Sequence, residues 1–134
     1  MAVRVLHVDD DHVTLPMVAE DARLVVWPGM GAYTANMNYV RMKPGEENIP
    51  HAHPESEDTI FVLSGTATVR DLTHDETHVV REGQVVHIPA GLRHQVVGDH
   101  GVLVESVGGP CPADLGGLRK AGVLDDDQSE GRTE

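Results

Sequence analysis

The stretch PHAHPESED, residues 50–58, sets His51 and His53 one residue apart and follows them, past Pro54, with Glu55, Glu57 and Asp58. In an extended strand residues i and i+2 face the same way, with α-carbons roughly 6.5–7 Å apart. Both imidazoles can then reach one ion at bond lengths of about 2.0–2.1 Å, as for zinc. Such a site still needs a third and a fourth donor. Counted along an unbroken strand, Glu57 shares the face of His53. Pro54 offers no N–H to a ladder and HPES forms a bend. The count is lost there, and Glu57 and Asp58 both stand as the acid.

The elements that must position these groups are short and extended. From residue 21 onward, ARLVVW, YTANMNYVRM, TIFVLS, TATVRDL, THVV, QVVHIP, HQVV and VLVESV are separated by turns rich in Gly, Pro, Asp and Asn. Eight short strands with such punctuation predict an antiparallel all-β sandwich or barrel over residues 21–110. Val is abundant, and its branched carbon suits a pleated sheet. Only Trp27, Tyr33, Tyr39 and Phe61 are aromatic, so aliphatic side chains must fill the core. Residues 1–20 are acidic and irregular and are expected to be an N-terminal extension; the HVDDDH run from His7 to His12 reads as a solvated acidic turn. Residues 111–134 are expected to form a short helix, with Leu115 and Leu118 on one side, followed by a disordered acidic tail.

Length and charge narrow the classes of function. A chain of 134 residues suits one domain with an ordinary core. Its formal charge of −12 with no basic cluster excludes nucleic acid and an acidic membrane surface as favoured partners. A single cysteine, Cys111, forms neither an internal disulfide nor a thiolate cluster, and a free thiol fits a reducing compartment. The opening MAVRVLHVDDD lacks an apolar signal-peptide run, so a cytoplasmic location is expected.

Residues 45–65, GEENIPHAHPESEDTIFVLSG, resemble the first motif of the cupin superfamily: Gly45, then His51 and His53, an acid, and Gly65. Residues 83–98, GQVVHIPAGLRHQVVG, resemble the second, with Gly83, Pro89, Gly91 and His94 in register and Gly98 where asparagine is usual. The resemblance implies a double-stranded β-helix, or jelly roll, with His51, His53, Asp58 and His94 turned inward around one divalent metal ion. Asp58 fits the motif's spacing on both flanks, although the family's residue there is glutamate, one methylene longer.

Three imidazoles and a carboxylate leave one or two coordination positions open, the mark of a catalytic site. The donor set admits iron, manganese, nickel, zinc, cobalt or copper. By analogy with similar small cupins, the leading expectation is a dioxygenase using Fe(II) on a small organic molecule. A redox-neutral isomerase, cyclase or lyase and a non-catalytic ligand-binding or metal-binding domain are the alternatives. A proton carrier is sought in His87 or Tyr39, because an imidazole titrates near neutrality. In YTANMNYVRM, Tyr39 and Arg41 share one face while Asn36 and Asn38 share the other. Arg41, suited to a carboxylate, and Asn38 are the candidate substrate-binding residues, with the inward face left open. A homodimer is expected, since similar cupins pair and edge strands invite pairing.

Overall fold

The structure is a computed structural model that describes residues 2–125. Eight strands appear where the alternating apolar runs place them: β1 (Asp21–Val26), β2 (Met37–Met42), β3 (Glu57–Ser64), β4 (Thr66–Asp71), β5 (Glu76–Arg81), β6 (Val85–Ile88), β7 (His94–Gly98) and β8 (Val104–Cys111). They form two antiparallel sheets, ordered β1-β2-β8-β3-β6 and β5-β4-β7. This is the all-β jelly roll that the motifs imply. Residues 47–51 extend the smaller sheet, pairing with β7 through bridges at Glu47–Val97 and His51–His94.

Period-two alternation decides what each strand shows to the interior. Along β3, Asp58 and Val62 are buried while Glu57, Phe61 and Leu63 are exposed. Leu24, Met42, Val62, Val69, Val80 and Val104 are buried between the sheets and belong to the apolar core. The outer face of the larger sheet keeps Phe61, Leu63 and Val85 in contact with solvent.

The segments that flank the strands pack against the barrel. The barrel's packing begins before residue 21: Leu15 and Ala19 are buried in the core, the Leu15 amide donates to the Ala22 carbonyl, and the Leu24 amide donates to the Val13 carbonyl. Two well-spaced apolar side chains in an acidic segment suffice to dock it. At the other end, helix α1 (Leu115–Lys120) follows Asp114, whose carboxylate accepts from the Gly117 amide and caps it. Leu118 is buried against the core. The expected tail lies at residues 126–134, outside the described residues. Among the described residues no helix is long and apolar enough to cross a membrane.

Two glycines carry the motif geometry. Gly65, at the β3–β4 turn, has a φ of +84°, and a Cβ there would meet the Leu103 carbonyl oxygen at 2.4 Å. At Gly98 a Cβ would lie 2.9 Å from the Lys43 carbonyl oxygen, which leaves no room for an asparagine. Gly83 has a similar φ of +85° but open space around it. Gly83→Ala therefore carries only the left-handed backbone cost of about 1 kcal/mol, while Gly65→Ala adds a backbone clash and is expected to lose at least about 2 kcal/mol. Urea denaturation of the two variants checks the difference.

Candidate metal centre

His51, His53, Asp58 and His94 meet inside the barrel, each offering a ligand atom within 4.8 Å of the others. Four local structures bring them there. His51 and His94 are cross-strand partners, each accepting the other's amide through its carbonyl at 2.8–3.0 Å. Their rings lie 4.4 Å apart between centroids. His53 follows in the loop, and its carbonyl accepts from Gly91 at 2.8 Å. Asp58 enters from β3 in the opposite sheet, where it pairs with Ile88 of β6 and Pro110 of β8.

Hydrogen bonds set the orientation of each imidazole. The Nδ1 atoms face the Ile49 carbonyl at 2.6 Å (His51), an Asp114 carboxylate oxygen at 2.8 Å (His53) and the Leu92 carbonyl at 2.9 Å (His94). These partners only accept, so each Nδ1 carries the proton and donates it. Each Nε2 is left with its lone pair, as an imidazole ligand requires. The Asp58 carboxylate lies 3.5 Å from His53 Nε2 and 3.6 Å from His94 Nε2, and its Oδ1 is buried without a partner. A buried orphan carboxylate oxygen is costly unless a cation satisfies it. The cluster therefore fits a divalent ion, and the donor set by itself does not name which one.

Electrostatics favour the metal-binding form at Asp58 and His51 and oppose it at His53. Burial works to raise the Asp58 pKa, but the neighbouring His53 and His94 rings outweigh it and hold the carboxyl below its ordinary range. Burial pushes the His51 imidazole down. For His53 burial acts in the same direction, yet Asp58 and Asp114 prevail and raise its pKa. An ionised carboxylate and a neutral imidazole are the forms that bind metal.

A cavity of about 670 Å³ opens beside the cluster. Its wall is mainly aliphatic, with Leu24, Val40, Met42, Val62 and Val104 among the lining residues. Polar groups are few. Asn36 and Asn38 lie over Gly109, with their Nδ2 atoms 3.1 Å from where its Cβ would be. The Oδ1 atoms of both are buried and unpartnered. Arg93, Asp114 and Lys120 also line the cavity.

Several candidates read from the sequence fall elsewhere. Asp58 is the inward acid, whereas Glu57 is exposed on the other face, 2.6 Å from His87 Nε2. His87, paired opposite Thr59 on edge strand β6, is exposed and does not line the cavity, so the proton-carrier role is corrected by strand parity. Tyr39 and Arg41 are corrected for the same reason. They project from the outer face of β2, where the Tyr39 hydroxyl donates to Glu105 and Arg41 pairs with Glu105 at 3.4 Å. Asn38 occupies the inward face. In the acidic N-terminal turn, Arg23 reaches Asp9 at 3.0 Å, as suits a structural surface cluster. Asp114 stands 61 residues from His53, so sequence spacing does not link the two; an aspartate just before a helix is the visible signal.

A family model described as a cupin domain matches residues 38–104, half of the chain. Germin-like protein subfamily T member 2 of Arabidopsis thaliana is 33% identical over 76 residues, 54% of this chain and 34% of that protein. Germin-like protein 5-1 of Oryza sativa is 32% identical over 84 residues, 60% of this chain and 38% of that one. The chain thus spans about a third of the length of these curated relatives. Among solved structures, the polyketide cyclase RemF from Streptomyces resistomycificus superposes with a TM-score of 0.67 at 26% identity, covering 83% of this chain and 80% of that one. A double-stranded β-helix protein from Klebsiella pneumoniae has a TM-score of 0.66 at 18% identity, covering 84% and 93%. An oxalate oxidase shares the fold at 24% identity and a TM-score of 0.59, covering 76% and 56%.

The faces of β2 and β3 make opposite predictions. His94→Ala and Asp58→Asn are expected to lose stoichiometric metal, while Glu57→Gln and His87→Ala retain it, as elemental analysis will show. On the outer face, Glu105 is held below the ordinary carboxylate range first by the Tyr39 hydroxyl and then by Ser64. A depressed carboxyl pKa stabilises the fold above the unfolded value and loses that contribution as pH falls. Tyr39→Phe is therefore expected to be less stable at neutral pH, with the deficit shrinking in acid when both chains are unfolded in urea, and with metal content unchanged.

Proposed function

The chain belongs to the cupin family, and from that premise we propose a metal-dependent enzyme that acts on a bulky, mostly apolar organic molecule bearing carbonyl or hydroxyl oxygens. Redox-neutral cyclisation or isomerisation is the reaction class we assign. The observation that carries this reading is the cavity of about 670 Å³ with aliphatic walls beside the four-ligand cluster. Its volume lies within the range of sites for drug-sized molecules, roughly 300–1,000 Å³. Similarity to a polyketide cyclase over most of both chains supports the same substrate character.

His51, His53, Asp58 and His94 would hold a divalent ion, which would supply Lewis-acid chemistry toward a substrate oxygen. The residues around it do the rest. The aliphatic wall excludes water and confines the carbon skeleton, so that reacting atoms are held close. Asn36 and Asn38 present unpartnered carboxamide oxygens, which accept from hydroxyl groups of the substrate and fix its orientation. Neither His87 nor Tyr39 takes part.

The test is turnover of a hydroxylated aromatic or polyketone-like substrate under anaerobic conditions, with zinc, nickel or iron loaded in turn. We expect product of unchanged oxidation state without oxygen. Stoichiometric oxygen uptake under ferrous loading, with no anaerobic turnover, would assign the oxygenase alternative instead. Asn38→Leu is expected to raise KM about tenfold or more, since it removes a buried acceptor.

The exposed Phe61, Leu63 and Val85 on the outer face of β3 and β6 support the homodimer as the working assembly. Light scattering should then give twice the chain mass of 14.5 kDa; a single-chain mass at micromolar concentration and above would rule it out.

A further inference from the structure

Asp114 belongs to none of the strands that build the cluster, yet it touches a ligand. One carboxylate oxygen accepts from His53 Nδ1 at 2.8 Å and the other accepts from the Gly117 amide at 3.0 Å. The same side chain therefore fixes an imidazole and starts helix α1. A second tie runs alongside: the Ser56 hydroxyl, in the loop that carries His53, donates to the Pro112 carbonyl at 2.7 Å. Ser56 is 4% exposed, so this bond is screened from solvent.

The helix attached to these ties forms part of the cavity wall. Gly116, Gly117, Leu118 and Lys120 line the cavity, and Leu118 is 7% exposed. On its own the helix is weak. It has six residues, LGGLRK, of which two are glycine, and each glycine costs about 1 kcal/mol relative to alanine. A segment so short is held by what it docks on and by its cap. One of those supports is the ring of a metal ligand.

Resting on the metal-site reading above, we propose that Asp114 is a positioning residue that couples ion binding at His53 to closure of the cavity by helix α1. An ion on His53 Nε2 holds the ring, and the held ring gives the Asp114 carboxylate a fixed donor. The carboxylate then keeps the helix start in place. By linkage, a seated helix favours ion binding to the same degree that the ion favours a seated helix. Loss of such an outer hydrogen-bond partner typically weakens metal affinity 10–100-fold.

Asp114→Asn separates coupling from capping. Asparagine caps a helix about as well as aspartate, but its amide lacks the charge that binds the imidazole N–H strongly. Zinc affinity is measured by competition titration, and amide hydrogen exchange over residues 115–121 is followed with and without zinc. In the natural chain we expect zinc to slow exchange in the helix about tenfold or more. In Asp114→Asn we expect affinity to fall about tenfold or more and zinc to leave helix exchange unchanged. Equal affinity in both proteins, or zinc-independent helix exchange in the natural chain, overturns the coupling while leaving the metal site standing. Failure of the natural chain to bind zinc or any other divalent ion overturns the metal reading itself. The exchange measurement on the natural chain needs no variant, so the proposal stays decidable if Asp114→Asn does not fold.

Discussion

Everything at the site depends on where three Nδ1 protons go. Two are taken by backbone carbonyls two residues earlier in the chain, Ile49 for His51 and Leu92 for His94, and the third by the Asp114 carboxylate. With those protons committed, the opposite ring nitrogens are bare and face inward. Asp58 completes the set from the other sheet, with one oxygen still unpartnered. The barrel serves this constraint by making His51 and His94 directly paired residues, so that strand register itself brings two rings together.

The two faces of the larger sheet divide the chemistry. Inward from β2, β3 and β8 come Asp58, Asn38 and a run of aliphatic side chains. Outward come Tyr39, Arg41 and Glu105, joined in a polar cluster with Ser64. The outer groups partner one another: Tyr39 is buried, while Arg41 and Glu105 are partly exposed, and exposed ion pairs contribute little. On the inner face Asp58 Oδ1 and Asn38 Oδ1 lack partners within the chain, and unpaired buried polar atoms are tolerated where something else satisfies them.

Much of this was written in the sequence, and the omissions have physical causes. Eight strands followed from alternating runs and turn residues, and the spacing around His51, His53 and His94 pointed to one site. The choice between Glu57 and Asp58 stayed open because Pro54 and its bend erase strand parity, which β3 restores only at its own first residue. The inward face of β2 could not be read from YTANMNYVRM, where polar and apolar residues occupy both sides. His87 and Tyr39 carry titrating groups, but strand parity sends both outward. Asp114 was invisible as a partner of His53 because the contact joins segments far apart in the chain. Leu15 and Ala19 were masked by acidic neighbours, although burial of two side chains was enough to bring that segment into the core.

The most direct test is a crystal structure of the metal-loaded protein with anomalous scattering recorded at the metal's absorption edge. The account predicts one strong peak inside the barrel, bonded at about 2.0–2.2 Å to Nε2 of His51, His53 and His94 and to an Asp58 oxygen, with the open position toward the aliphatic cavity. A peak bound at Nδ1, bound by Glu57 and His87 on the outer face, or absent from the barrel altogether would contradict it.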